Sequence, residues 1–101
     1  MEETFNLGEH IELSGFREVD RESMIILKKM IGNFARKMLD RIEGFEKVKL
    51  NLKKTHETEG SVKFEIKGSI ILNGKTETTE ATDRNLFYAV DTVLKKLENM
   101  Q

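Results

Sequence analysis

With 101 residues the chain has room for one domain, and at that size about two thirds of the unfolded surface can be buried without covalent staples. It contains no cysteine, which excludes disulfides, thiolate chemistry and cysteine-ligated zinc and fits a reducing cytoplasm; no apolar run approaches the ~20 residues of a membrane helix, and the N-terminus lacks a signal-peptide pattern. Lysine and arginine number 17 against 18 acidic residues, a net charge of −1, which neither supports nor forbids a nucleic-acid partner: binding by bulk attraction calls for a strongly basic protein, but exposed charges more than about 8 Å apart are largely screened, so a local lysine patch can still hold phosphate.

Residues 1–8 hold two apolar side chains without a period and read as a flexible lead-in. From His10 to Ser14 the sequence alternates, placing Ile11 and Leu13 on one face of a first strand that ends near Gly15 and Phe16. Asp20 is placed to cap a long helix reaching Ile42 or Glu43. Its apolar residues Met24, Leu27, Ile31, Phe34, Met38 and Ile42 recur at helical spacing, and Ile25, Met30, Ala35 and Leu39 widen the stripe enough to cover a sheet. Gly32 lies at the edge of that stripe. It marks either a close approach by a second helix or a tolerated glycine, which costs about 1 kcal/mol against alanine. Gly44 is expected at the C′ position.

Lys47 to Lys53 alternates strictly, with Val48, Leu50 and Leu52 inward and Lys47, Lys49, Asn51 and Lys53 outward. A polar turn over His56–Gly60 follows. The next strand puts Val62, Phe64, Ile66, Ile70 and Leu72 on one face, with Gly68 as a bend. Asn73-Gly74 is the dipeptide of a two-residue type I′ hairpin, since both central residues need positive φ. That turn pairs Leu72 with Lys75, Ile66 with Ala81, Lys67 with Glu80, and Ile70 with Glu77. The last pairing places a carboxylate on the inner face, so the hairpin tip must project beyond the covering helices. Thr82 or Asp83 is then expected to cap a helix with Leu86, Val90, Val93, Leu94 and Leu97 on one side. The sum is an α+β two-layer sandwich, β-α-β-β-β-α: a four-stranded mixed sheet, its first two strands parallel through a crossover helix, both helices on one face and the other face open.

Catalytic readings find little support. His10 and His56 lack metal-ligand spacing, the glycines form no phosphate loop, and the carboxylates interleave with lysines on solvated faces. No enzyme, cofactor, metal or small-molecule substrate is expected. Lys47, Lys49, Lys53, Lys63 and Lys67 fall on the open face, tempered by Glu65 and Glu80, and Lys95 and Lys96 on the last helix. Lysines along a surface suit phosphate oxygens and shape-based RNA recognition. They equally suit a plain solvated strand face that discourages edge pairing.

In the last helix, Asn85-Leu86-Phe87-Tyr88-Ala89-Val90-Asp91 and Lys95-Lys96-Leu97 carry a resemblance. They are similar to the final helix of the ribosome hibernation promoting factors, also called protein Y or ribosome-associated inhibitor, which opens Asp-Met-Tyr-Ala-Ala-Ile-Asp and runs on to Asp/Lys-Lys-Leu. Lys53-Lys54-Thr55-His56 after the second strand is also similar, and the element order matches over nearly the whole chain. The resemblance implies a non-enzymatic cytoplasmic protein that regulates translation under stress. It would occupy the mRNA/tRNA channel of the small ribosomal subunit, contact 16S-type rRNA phosphates and silence idle ribosomes. Lys47, Lys49, Lys53, Lys63, Lys67, Lys95 and Lys96 would be the phosphate ligands, with Phe87, Val90 and Leu97 in the core. Where the family continues with basic residues this chain has Glu98-Asn99-Met100-Gln101, which removes some of those contacts, and a short form without the second domain is expected. Two alternatives remain on the same sandwich: a general double-stranded RNA binder, or a homodimer formed through the open face around Ile71.

Overall fold

The computed structural model describes residues 4–6, 8, 10–56 and 60–101. Residues 1–3 and 7 of the lead-in and 57–59 of the polar turn lie outside the described residues. The alternating segments become strands β2 (Ile11–Ser14), β3 (Phe45–His56), β4 (Val62–Leu72) and β5 (Lys75–Asp83), with helix α1 (Arg21–Arg41) after β2 and helix α2 (Leu86–Asn99) after β5. From β2 onward the order is β-α-β-β-β-α, as expected. Part of the segment read as lead-in also joins the sheet: β1 (Thr4–Asn6) pairs antiparallel with β2, Phe5 opposite Leu13, giving a five-stranded sheet in the order β1-β2-β3-β4-β5. A short N-terminal edge strand has no period long enough to read.

β2 and β3 run parallel, Ile11 opposite Val48 and Leu13 opposite Leu50. The β4–β5 hairpin has the register counted back from its turn, with Leu72 opposite Lys75, Ile66 opposite Ala81 and Ile70 opposite Glu77. Asn73 and Gly74 have φ of 50° and 80°, the type I′ conformation. The turn is anchored from outside: Asn73 N donates to Gly44 O, and Gly74 N donates to a Glu46 carboxylate oxygen 2.6 Å away. Glu77 on the inner face is met by Gln101 Nε2 at 2.7 Å, just past the end of α2, so its carboxylate is hydrogen-bonded where the helix layer stops.

One cluster joins both helices to one side of the sheet. Leu27, Ile31, Phe34 and Met38 of α1 and Val90, Val93 and Leu97 of α2 bury against Leu13, Val48, Leu50, Ile66 and Ile70. Among the described residues no polar side chain is buried. Phe16, 1% exposed, joins this core just after β2, a role not legible from its place after the alternating segment.

Several local expectations are corrected. Asp20 caps α1 as read, accepting from Ser23 N at 2.9 Å, but α1 ends at Ile42 as its C-cap, with Gly44 (φ 87°) two residues beyond instead of at C′. The cap of α2 is Asn85, whose Oδ1 accepts from Tyr88 N at 3.0 Å. Asp83 is held in the β5 ladder opposite Phe64 and instead accepts from Asn85 N. Ile25 (54% exposed) and Leu39 (43%) leave the core, because α1 presents only the narrower face of Leu27, Ile31, Phe34, Ala35 and Met38. Gly32 has open space around it, so it is a tolerated glycine. Gly68 is no bend: it sits in an unbroken ladder, buried, and a Cβ there would collide with Val93 and Leu50 Cδ2. Its bare backbone lets α2 settle onto the sheet.

Candidate nucleic-acid interface

The alternation that buries Val48, Leu50 and Leu52 turns every second residue of β3 to the opposite side, which no helix covers. Sheet register lines these residues up in rows across the strands. One row runs Glu12, Lys49, Ser69, Thr78; the next Ser14, Asn51, Lys67, Glu80; the next Lys53, Glu65, Thr82. Lys63 stands opposite Thr55 at the far end of the hairpin and Lys47 opposite Ile71 at the near end. Five of the seven lysines expected as phosphate ligands thus share one side of the sheet.

Their surroundings differ. Glu12 Oε1 lies 3.5 Å from Lys47 Nζ, and Glu12 Oε2 lies 3.9 Å from Lys49 Nζ. The parallel register of β2 on β3 creates this double contact, and the sequence offers no turn from which to count it. The pairs are half-exposed at the surface, where such contacts contribute about 0–1 kcal/mol and exchange readily for another anion. Among the described residues Lys53 and Lys67 make no ion pair, and both are exposed. Between Lys49 and Lys67 lies a shallow depression of about 260 Å³, floored by small polar side chains. Asn51 Nδ2 donates to Ser14 Oγ at 2.7 Å, and the Ser69 and Thr78 hydroxyls are 3.0 Å apart. The second contact was legible in advance: counting from Leu72–Lys75 puts Ser69 opposite Thr78.

The helix lysines do not join this group. Lys95 and Lys96 are neighbours, so they project about 100° apart around α2. Lys95 Nζ pairs with Asp91 Oδ2 at 2.9 Å, one turn earlier, and the Asp91 hydrogen bond raises the lysine's pKa. Lys96 reaches round the rim of the sheet to donate to Glu80 O at 3.0 Å. A ligand on the open face can therefore extend to Lys96 over the β5 edge, while Lys95 belongs to the helix layer. Glu98, at the place where basic residues were expected, draws Lys37 (3.0 Å) and Arg41 (3.6 Å) of α1 toward α2. In this chain that acidic residue ties the two helices together.

Of the two histidines, His10 has a structural occupation, and the side chain of His56 lies outside what the structure describes. His10 Nδ1 lies 2.9 Å from Glu46 O, a carbonyl that can only accept, and its ring is tilted beside Phe45. Among the described residues no group of three or more acidic or histidine side chains is placed to hold a metal ion, and no described helix is long and apolar enough to cross a membrane. Phe87, Val90 and Leu97, the resemblance's marker residues, pack in or against the core, whereas Tyr88 is 61% exposed. No known family model matches this chain, and no curated protein sequence matches it.

Proposed function

We propose that this domain binds the small ribosomal subunit through rRNA phosphates and silences idle ribosomes by occupying the mRNA/tRNA channel, without catalysis. The observation that carries the reading is the uncovered sheet face, where Lys49, Lys53 and Lys67 stand in water among hydroxyl and amide donors. The resemblance of residues 85–97 to the hibernation factors supplies the ribosome as the polyanion. Lysine ammonium groups spaced about 7 and 13 Å along β3, from Lys47 to Lys49 and from Lys49 to Lys53, can each displace a counterion from a phosphate. Ser14, Ser69 and Thr78 can hydrogen-bond phosphate or ribose hydroxyls, which suits recognition of A-form shape without base readout. Inhibition is then steric, since a seated domain excludes mRNA and tRNA. Acidic neighbours such as Glu12 and Glu80 restrict binding to a surface whose phosphates match the lysine positions.

Sedimentation with purified ribosomal subunits at two salt concentrations tests the reading. Co-sedimentation with the small subunit that falls steeply with salt is expected. Lys53→Gln combined with Lys67→Gln, which removes both charges without setting a carboxylate opposite Glu65 or Glu80, should lower the log–log salt slope by about one unit per lost contact while leaving the unfolding midpoint nearly in place. Absence of binding at low salt overturns the assignment.

A further inference from the structure

The edge formed by β5 adjoins the lysine-bearing face at Lys96 but presents backbone groups of its own. β5 closes the sheet on one side and is nine residues long. The two-residue turn makes Leu72 and Lys75 a hydrogen-bonded pair, so Lys75, Glu77, Thr79, Ala81 and Asp83 use their backbone groups on β4. Thr76, Thr78, Glu80 and Thr82 therefore direct theirs outward. Lys96 Nζ donating to Glu80 O is independent support, because that carbonyl can be reached from outside the sheet.

We propose that β5 pairs antiparallel with β5 of a second copy of this chain, across a two-fold axis at Thr79, forming a continuous ten-stranded sheet. Charge fixes the partner and the register. In this alignment Lys75 faces Asp83 of the second copy, twice by symmetry. Thr76 faces Thr82, Thr78 faces Glu80, and Glu77 faces Ala81. No like charges stand opposite one another. Moving the axis to Glu80 would put Glu80 against itself and Glu77 against Asp83, and moving it to Thr78 would leave Lys75 opposite Ala81. Within one copy, Lys75 and Asp83 have no ion-pair partner among the described residues, so pairing satisfies both. Asp83 already turns one oxygen to Asn85 N, and its other oxygen is available.

The helix layer permits this approach. α2 packs over both β4 and β5, and with strands about 4.8 Å apart the two α2 axes in the dimer lie about 10 Å apart, the distance at which helices touch without overlapping. Lys96 must yield or share the Glu80 carbonyl, and the contact is narrow, so association is weak and concentration-dependent.

Sedimentation velocity of the full chain over a concentration series up to millimolar should show a reversible monomer–dimer equilibrium; a monomer throughout overturns the proposal. Thr78→Pro removes one outward N–H and leaves the β4 ladder intact, so it should abolish the dimer with an unchanged circular dichroism spectrum. Lys75→Glu, which puts like charges opposite Asp83 twice, should weaken the dimer about tenfold or more. Lys75→Glu is exposed and serves as the deciding variant if Thr78→Pro does not fold. The Lys53→Gln, Lys67→Gln double variant, which adds no charge beside β5, should dimerise like the wild type. A dimer that survives Lys75→Glu unchanged, or that disappears with the double variant, overturns the edge in favour of pairing through the open face. Loss of ribosome binding in the double variant with the dimer intact separates this inference from the proposed function.

Discussion

Along β3, Val48, Leu50 and Leu52 are 4% exposed or less, while Lys49 and Lys53, one residue away from them, are exposed. The two sides of one strand are under different constraints. On the covered side each residue is part of the one core cluster under the helices, so its volume is fixed by what surrounds it. On the open side the contacts are single hydrogen bonds and exposed ion pairs, each contributing little and each replaceable by water or by a ligand. Stability is decided under the helices, and the uncovered side is left available for recognition.

The largest way to probe this contrast is Leu27→Ala. Leu27 is fully buried at the first turns of α1, and its removal leaves a cavity that should cost about 2–5 kcal/mol, read from the denaturant midpoint at unchanged slope. A sharper probe uses two adjacent residues. Gly68 and Ser69 are neighbours that face opposite sides of β4. Gly68→Ala drives a methyl into Val93 and Leu50 and should cost about 1–3 kcal/mol. Ser69→Ala loses an exposed contact to Thr78 and should stay within about 0.5 kcal/mol. Equal effects at the two positions would mean that the sheet's sides are not energetically distinct.

The contrast itself was readable before any coordinates. Strict alternation from Lys47 to Lys53 assigns the sides, and the Asn73-Gly74 turn fixes a complete β4–β5 register, down to the awkward Glu77 on the inner face. What was not readable depends on tertiary placement. No turn joins β2 to β3, so Glu12 could not be set beside Lys47 and Lys49. The apolar stripe of α1 looked wider than the surface it covers, which left Ile25 and Leu39 assigned inward. Gly68 carries no local sign of α2 lying against it. Lys95 and Lys96 were bound to diverge as helix neighbours, but which of them reaches the sheet's rim depends on where α1 lies. Asp83 and Asn85 offer the same capping chemistry, and only the length of β5 decides between them.

The smallest expected effect lies where the covering layer begins, and it is visible only in acid. The Asp20 carboxylate accepts from the Ser23 backbone N–H at the start of α1, which lowers its pKa below the ordinary 3.8, helped by the Ser23 side chain. A carboxyl whose folded pKa is depressed stabilises the fold above its unfolded pKa and loses that contribution as pH falls through the lower folded value. Stability should therefore decline below pH 3.8 in part through this one group. Asn is an equally good cap that cannot titrate, so Asp20→Asn should leave the midpoint nearly unchanged at neutral pH and flatten the acid limb of the stability profile. The substitution touches neither side of the sheet, so the proposed small-subunit binding at neutral pH should not depend on it. An acid limb identical in the two proteins would show that the cap's charge has no part in holding α1 over the core.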